Sequence, residues 1–252
     1  MSNELKVAIE AARKGARNAL KYFNKDIQVE IKPDDGTVVS HADRETEEVI
    51  KSYILSKYKN AKFLGEESGG DISQKEFWVI DPIDGTRSYL RGIPLWCVIV
   101  SLCRYNEVFL GVIYYPHGDN IFYAEKGRGA FENNQKLHVS SIEHLKDAYL
   151  GFGSPRHFKD KQVLLDLIDK AAGSRSWEAT YCGLLVVSGK IDAHIDAFGK
   201  IWDLAPFKVM IEEAGGKITR LDGSPWTLKG SGAIMTNGIL HDEVLAIINK
   251  RK

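Results

Sequence analysis

Residues 78–86 read WVIDPIDGT. Three apolar residues run straight into two aspartates separated by Pro-Ile, and a glycine and a threonine follow. The apolar lead-in reads as a buried strand. Asp, Pro and Gly all favour turns, so DPIDGT is a turn candidate too. A plain turn has no use for two carboxylates three residues apart behind such a hydrophobic run. The stretch asks for a partner that needs both acids, held on a bend and followed by a flexible residue and a hydroxyl.

The flanking sequence says what carries that bend. From residue 77 onward, FWVID, WCVIVSLCR, VFLGVIYYP and NIFYAE are separated by polar turns and read as strands. Upstream, Leu5, Ala8, Ile9, Ala12, Ala16, Ala19, Leu20 and Phe23 fall at helical spacing. IQVEIK alternates as a strand, KPDDGT is turn chemistry, and SHADRETEEVIKSYILSKY predicts a second helix with Ser40 as its cap. KFLGEESGGD reads as a brief strand emptying into an acidic, glycine-rich loop.

Downstream, helices are expected around 141–147, 160–171 and 179–188, with a strand at KIDAHID. DLAPFKVMIEEAGG reads as a helix stopped by two glycines, before a strand KITRL and a last helix from about 239. Helices and strands alternate in blocks, which predicts a layered α/β or α+β architecture. With no repeat, low-complexity tract or linker, residues 1–252 are expected to form one domain.

Composition narrows the function classes. Lys+Arg and Asp+Glu balance at 34 each, so the basic footprint of a nucleic-acid binder is missing. The start, MSNELKVAIEAARKG, carries charges too often for a secretory signal or a membrane span, and a cytoplasmic location is expected. Cys97, Cys103 and Cys182 lie in apolar segments without CxxC spacing, and read as core thiols in a reducing compartment.

The remaining acids converge on element ends. Glu66 and Glu67 follow one strand, Asp81 and Asp84 another, Asp203 follows KIW and opens a helix, and Asp43 lies in the first turn of the second helix. Singly, each has an ordinary use: Asp43 and Asp203 as helix-start residues, GEESGG as a solvated loop. Together on neighbouring strands they concentrate negative charge, which forces proton uptake unless a cation neutralises it. A hard divalent ion such as Mg2+ favours carboxylates and a carbonyl while leaving positions for a phosphate oxygen. Two such ions can clamp a phosphoryl group and activate a water.

In this order, Asp43, Glu66-Glu67, DPIDGT at 81–86, Trp202-Asp203 and Gly215-Gly216 resemble the signature of the lithium-sensitive, magnesium-dependent phosphomonoesterases, whose type member is inositol monophosphatase. The resemblance implies an α-β-α-β-α sandwich, a homodimer, a small phosphate-ester substrate and two to three Mg2+ ions per site. It implies that Glu66, Asp81 and the Ile83 carbonyl hold one metal, that Asp81, Asp84 and Asp203 hold a second, and that Glu66 helps a third. Gly85 and Thr86 would receive the phosphate through backbone N–H groups, and Thr86 with Asp43 would orient the attacking water. Lys32 matches a lysine on the family's mobile metal loop. The catalytic domain would then divide into a metal half, 1–145, and a substrate-side half, 146–252.

The leaving-group side departs from the inositol phosphatases. Asp196 stands where a glutamate is usual, seven residues before Asp203, and Ser154 in GFGSPRHF matches a serine of the central region. SWEA replaces a Gly-Ser/Thr-Ala stretch and places Glu178 near the pocket. DGTRSYLRGIPLW and GSPRHF are similar to segments of the histidinol-phosphate phosphatase branch, and an extra acid such as Glu178 would suit an amino-bearing substrate. LRG also resembles the 3′-phosphonucleotidases, although Arg87 and Arg91 read equally well as a solvated helix face. Inositol monophosphate is the default substrate, histidinol phosphate the alternative, and bisphosphorylated nucleotides or fructose 1,6-bisphosphate more remote ones.

Overall fold

A computed structural model describes residues 1–31 and 38–250. In chain order the elements are α1 (Asn3–Leu20), β1 (Val29–Ile31), β2 (Val38–Ser40), α2 (His41–Lys57), β3 (Phe63–Gly65), β4 (Gly69–Gly70), β5 (Glu76–Asp84) and α3 (Thr86–Leu90). An antiparallel run follows: β6 (Cys97–Arg104), β7 (Glu107–Tyr115), β8 (Asn120–Glu125), β9 (Ala130–Glu132) and β10 (Gln135–Lys136). The rest comprises β11 (Tyr149–Phe152), α4 (Gln162–Ile168), β12 (Gly173–Arg175), α5 (Ala179–Val187), β13 (Ala193–Asp196), α6 (Ile201–Glu213), β14 (Lys217–Thr219), β15 (Ala233–Thr236) and α7 (His241–Asn249).

Two sheets organise these elements. The larger has strand order β10-β9-β8-β7-β6-β5-β3-β4, and the smaller β12-β11-β13-β15-β14. Period-2 alternation sends successive side chains of the large sheet to opposite faces. Trp78, Ile80, Val98 and Val100 pack against the small-residue face of α1 (Ala8, Ala12, Ala16) and against Ile50 and Ile54 of α2. Phe77, Val79, Ile99 and Ile113 pack on the other side against Leu184 of α5 and Phe207 and Met210 of α6. Met235 of β15 joins that second cluster, whereas Ala193, Ile195 and Ile234 face outward onto Leu164 of α4 and Val244 of α7. The layers therefore run α1/α2, large sheet, α5/α6, small sheet, α4/α7. The expected α-β-α-β-α sandwich is what forms.

Three local expectations need correction. The helix expected at 141–147 is only a 3₁₀ turn, Leu145–Asp147. His144 is extended, and the Ile142 carbonyl accepts from Asn237 Nδ2 at 2.8 Å, so the segment is held flat against the chain after β15. Asp203, read as opening the helix, is its third residue, behind Ile201 and Trp202, and accepts the Lys200 N–H at 2.7 Å. Finally, β5 does not stop at Asp81; it continues through Pro82 to Asp84.

Candidate active site

The continuation of β5 is what assembles the site. Residues three apart on a regular strand face opposite sides of the sheet. Here Asp81 pairs with Ile99 and Asp84 with Cys97, three residues against two, so one extra residue bulges out between the aspartates. Ile83 consequently joins the α1/α2 cluster, although regular alternation would put it with Asp81 on the α6 side. Both aspartates then face α6. Carboxylate oxygens of Asp81, Asp84 and Asp203 lie within 4.8 Å of one another. Pro82, which has no N–H to donate, is tolerated because a bulge leaves a residue unpaired anyway.

Most of these acids commit one oxygen to a neighbouring donor. Asp81 Oδ1 accepts the Ile83 N–H at 3.1 Å, and Asp203 Oδ2 accepts that of Lys200 at 2.7 Å. Asp84 Oδ2 faces the Cys97 thiol at 3.6 Å, and Thr180 also hydrogen-bonds its carboxylate. Glu66 lies beside Asp81, hydrogen-bonded to it and adding charge against it.

Burial and crowding act together on the titrations. Burial first, then Glu66, Asp84 and Asp203, pushes Asp81 well above the ordinary carboxylate range. Burial and then Asp84 and Glu66 do the same to Asp203. Asp84 is raised to about 7 by burial and the Glu178 charge. A cluster this acidic, with oxygen donors and no histidine or thiolate among them, fits a hard divalent cation.

Asp43 serves two masters. Its Oδ2 accepts the Ser40 N–H at 2.7 Å and the Ser40 hydroxyl at 2.6 Å, closing a capping box at the start of α2. Its Oδ1 faces the Thr86 hydroxyl at 3.4 Å, and the same hydroxyl lies 3.0 Å from the Ile83 carbonyl. One side chain thus closes the helix start and reaches Thr86. Gly85, between the bulge and α3, has φ +82°, a conformation that favours glycine, and a Cβ there would press on the Leu95 carbonyl at 3.0 Å.

Both substrate-side acids add negative charge against the cluster, Glu178 on Asp84 and Asp196 on Asp203. Glu178 directly precedes α5, and its carboxylate, next to Asp84, accepts from Ser88 Oγ instead of capping the helix. Asp196 is buried at the end of β13, and its Oδ1 accepts the Phe198 N–H at 2.9 Å. Ser154 is exposed directly after Gly153, where an added Cβ would sit 3.0 Å from Asp196 Oδ1. Lys32 lies outside the described residues. Sequence reasoning missed Cys97, Thr180 and Ser88, which orient acids rather than act as such; only the cross-strand pairing of Cys97 with Asp84 points to the first.

The raised carboxylates give a pH test. An acid whose folded pKa is raised stabilises the fold below its unfolded pKa, and that stability is lost as pH rises through the folded value. For Asp43, raised from 3.8 to about 6, the loss is on the order of 3 kcal/mol. In EDTA, the melting temperature should thus fall between pH 4 and pH 7, by roughly 6–12 °C from Asp43 alone. Excess Mg2+ should flatten that slope, because metal binding favours the ionised acids. Scanning fluorimetry across the range checks it; a metal-free melting temperature that rises with pH contradicts this electrostatic picture.

Comparison with known proteins agrees with the geometry. A histidinol-phosphatase of Chlorobaculum parvum is 34% identical, over 98% of this chain and 97% of its own. An inositol-1-monophosphatase of Mesorhizobium japonicum is 32% identical, over 98% of this chain and 96% of its own. An IMPase structure from Thermotoga maritima superposes with a TM-score of 0.92 at 27% identity, covering 99% of this chain and 98% of that one. An IMPase/NADP phosphatase complexed with Mg2+ and phosphate gives 0.87 at 26% identity, covering 98% and 95%. The inositol monophosphatase family model matches residues 1–252. A layered α/β fold with a clustered acidic site thus meets a match along the whole sequence: the chain belongs to the inositol monophosphatase family and is a phosphomonoester hydrolase.

Proposed function

We propose that this chain hydrolyses small-molecule phosphate monoesters with Mg2+, inositol monophosphate being the default substrate. The observation that carries the reading is the convergence of Asp81, Asp84 and Asp203 within 4.8 Å, beside Glu66 and the Thr86–Asp43 pair. Glu66, Asp81 and the Ile83 carbonyl would hold one ion, Asp81, Asp84 and Asp203 a second, and Glu66 would assist a third. Bound there, Mg2+ supplies positive charge to the phosphoryl oxygens and acidifies a water.

The chain's own residues do the positioning. Gly85 and Thr86 present backbone N–H groups at the start of α3, where an anion is favoured. Thr86, donating to Asp43, keeps lone pairs for the proton of an attacking water and so aims it. Because Asp81 and Asp84 come from the first half and Asp203 from the second, residues 1–145 and 146–252 act as one catalytic unit in this reading. The homodimer and lithium sensitivity rest on resemblance, the cytoplasmic location on the charged start and the core thiols, and all three belong to the same proposal.

The test is phosphate release with Mg2+ from inositol 1-phosphate, histidinol phosphate, fructose 1,6-bisphosphate and 3′-phosphoadenosine 5′-phosphate. Turnover that survives EDTA treatment undiminished would remove the metal reading.

Histidinol phosphate is a second reading, favoured by Glu178, whose carboxylate lies beside Asp84 at the site. The Chlorobaculum parvum relative is named for that activity. An ammonium-bearing substrate would gain a charge-assisted contact with Glu178, whereas inositol offers only neutral hydroxyls. Glu178→Gln keeps an acceptor for Ser88 and removes the charge. On histidinol phosphate it should cost about 1.5–3 kcal/mol, or roughly ten- to a hundredfold in kcat/KM, while inositol phosphate changes only a few-fold. Equal losses on both substrates would mean that Glu178 shapes the pocket instead of reading charge.

A further inference from the structure

Glu47 is buried to 1% exposure in α2, outside the acids discussed so far. A buried carboxylate needs partners for both oxygens. Oε1 meets Lys51 Nζ at 2.6 Å, one helical turn onward. Oε2 accepts the backbone N–H of Glu67 at 2.8 Å, in the loop that carries Glu66. Lys51 also donates to the hydroxyl of Ser68, the next residue of that loop.

The loop is shaped to receive this carboxylate. A Cβ at position 65 would run into it, so Gly65 lets the end of β3 lie directly against Glu47. Glu66 is then suspended between two fixed points. Its own N–H donates to the Ile80 carbonyl of β5 at 3.0 Å, and the following N–H is held by Glu47. Asp43 and Glu47 are four residues apart and share one face of α2. That single face therefore reaches Thr86 with one acid and the Glu66 loop with the next.

We propose that Glu47, braced by Lys51, is a positioning residue that fixes Glu66 relative to β5 and α2, so that the metal site is formed before metal arrives. The inference rests on the metal reading given under Proposed function. Supporting groups of this kind typically change metal affinity by about ten- to a hundredfold. Lys51 and the Glu67 N–H address different carboxylate oxygens, so in Glu47→Gln the amide nitrogen must face one of those donors.

Calorimetric titration of the metal-free protein with Mg2+ tests the proposal. Glu47→Gln should weaken Mg2+ binding by about ten- to a hundredfold, with kcat recovering largely at saturating Mg2+. Lys51→Gln, which keeps the Glu67 contact, should weaken it by several-fold. Ile54→Ala, in the buried core of the same helix, should lower the melting temperature at least as much and leave Mg2+ affinity unchanged. Mg2+ affinity within twofold of the parent in both Glu47→Gln and Lys51→Gln, or an equal loss in Ile54→Ala, overturns the proposal. A parent protein that binds no Mg2+ removes the metal reading itself, and this one with it.

Discussion

Asp81→Asn should abolish turnover almost completely while making the metal-free protein no less stable. Asp81 is buried to 1%, and its ionisation is opposed by burial and by Glu66, Asp84 and Asp203. Without metal that charge is a burden, and removing it relieves the repulsion. The Asn side-chain oxygen can still accept the Ile83 N–H, so the bulge keeps its local bond. With metal the balance reverses, because Asp81 is the acid that would serve both ions and its charge would be lost to each. A drop in kcat/KM on the order of a thousandfold or more is expected, about 4 kcal/mol of transition-state stabilisation. Steady-state kinetics in saturating Mg2+, alongside melting in EDTA, reads both halves. A variant that lost stability in EDTA along with activity would show that Asp81 acts in the fold first and in catalysis second.

Thr86→Ala should strike kcat and spare KM. The Thr86 hydroxyl touches the Ile83 carbonyl at 3.0 Å and Asp43 at 3.4 Å, and neither contact is needed to hold a phosphate. Orienting a water acts mainly in the transition state, where general-base assistance is typically worth about 10²–10⁴-fold. A fall in kcat in the lower half of that range is expected, with KM within a few-fold. Thr86→Ser keeps the hydroxyl and should restore most of the rate. Asp43→Asn combined with Thr86→Ala should cost little more than the worse single change, because the two groups work on one water. A rise in KM at constant kcat would make Thr86 a substrate contact and take the water-orienting role from the pair.

The large sheet, the two long N-terminal helices and α6 are legible because their apolar residues keep a clean period over many positions. The acids at 43, 66, 81, 84 and 203 are legible for a different reason: charge at the end of an apolar run is conspicuous wherever it occurs. What escapes is information held across strands. Nothing local to Tyr149–Phe152, Gly173–Arg175 or Ala233–Thr236 distinguishes these short runs from buried loop, and their pairing with β13 and with one another is what makes them strands. The same holds at the site. Cys97 beside Asp84 and Glu47 beside Glu67 become neighbours only through register and helix placement. The expected helix at 141–147 had helix-compatible residues, but the contact from Asn237 to Ile142 came from a strand end nearly a hundred residues away.

The extra residue in β5 makes chain length, more than residue identity, the guarded property of this motif. Pro82 and Ile83 tolerate replacement in principle, since one is unpaired and the other fills a hydrocarbon layer. Removing either one would bring β5 back into step with β6. The two aspartates would then stand two apart and still share the α6 side, but the local bend of the bulge and the contact of Asp81 Oδ1 with the Ile83 N–H would be lost. A single deletion therefore costs the bend, while substitution between the two acids leaves it in place. Relatives that diverge widely elsewhere can be expected to count the same number of residues here, because the sheet itself does the counting.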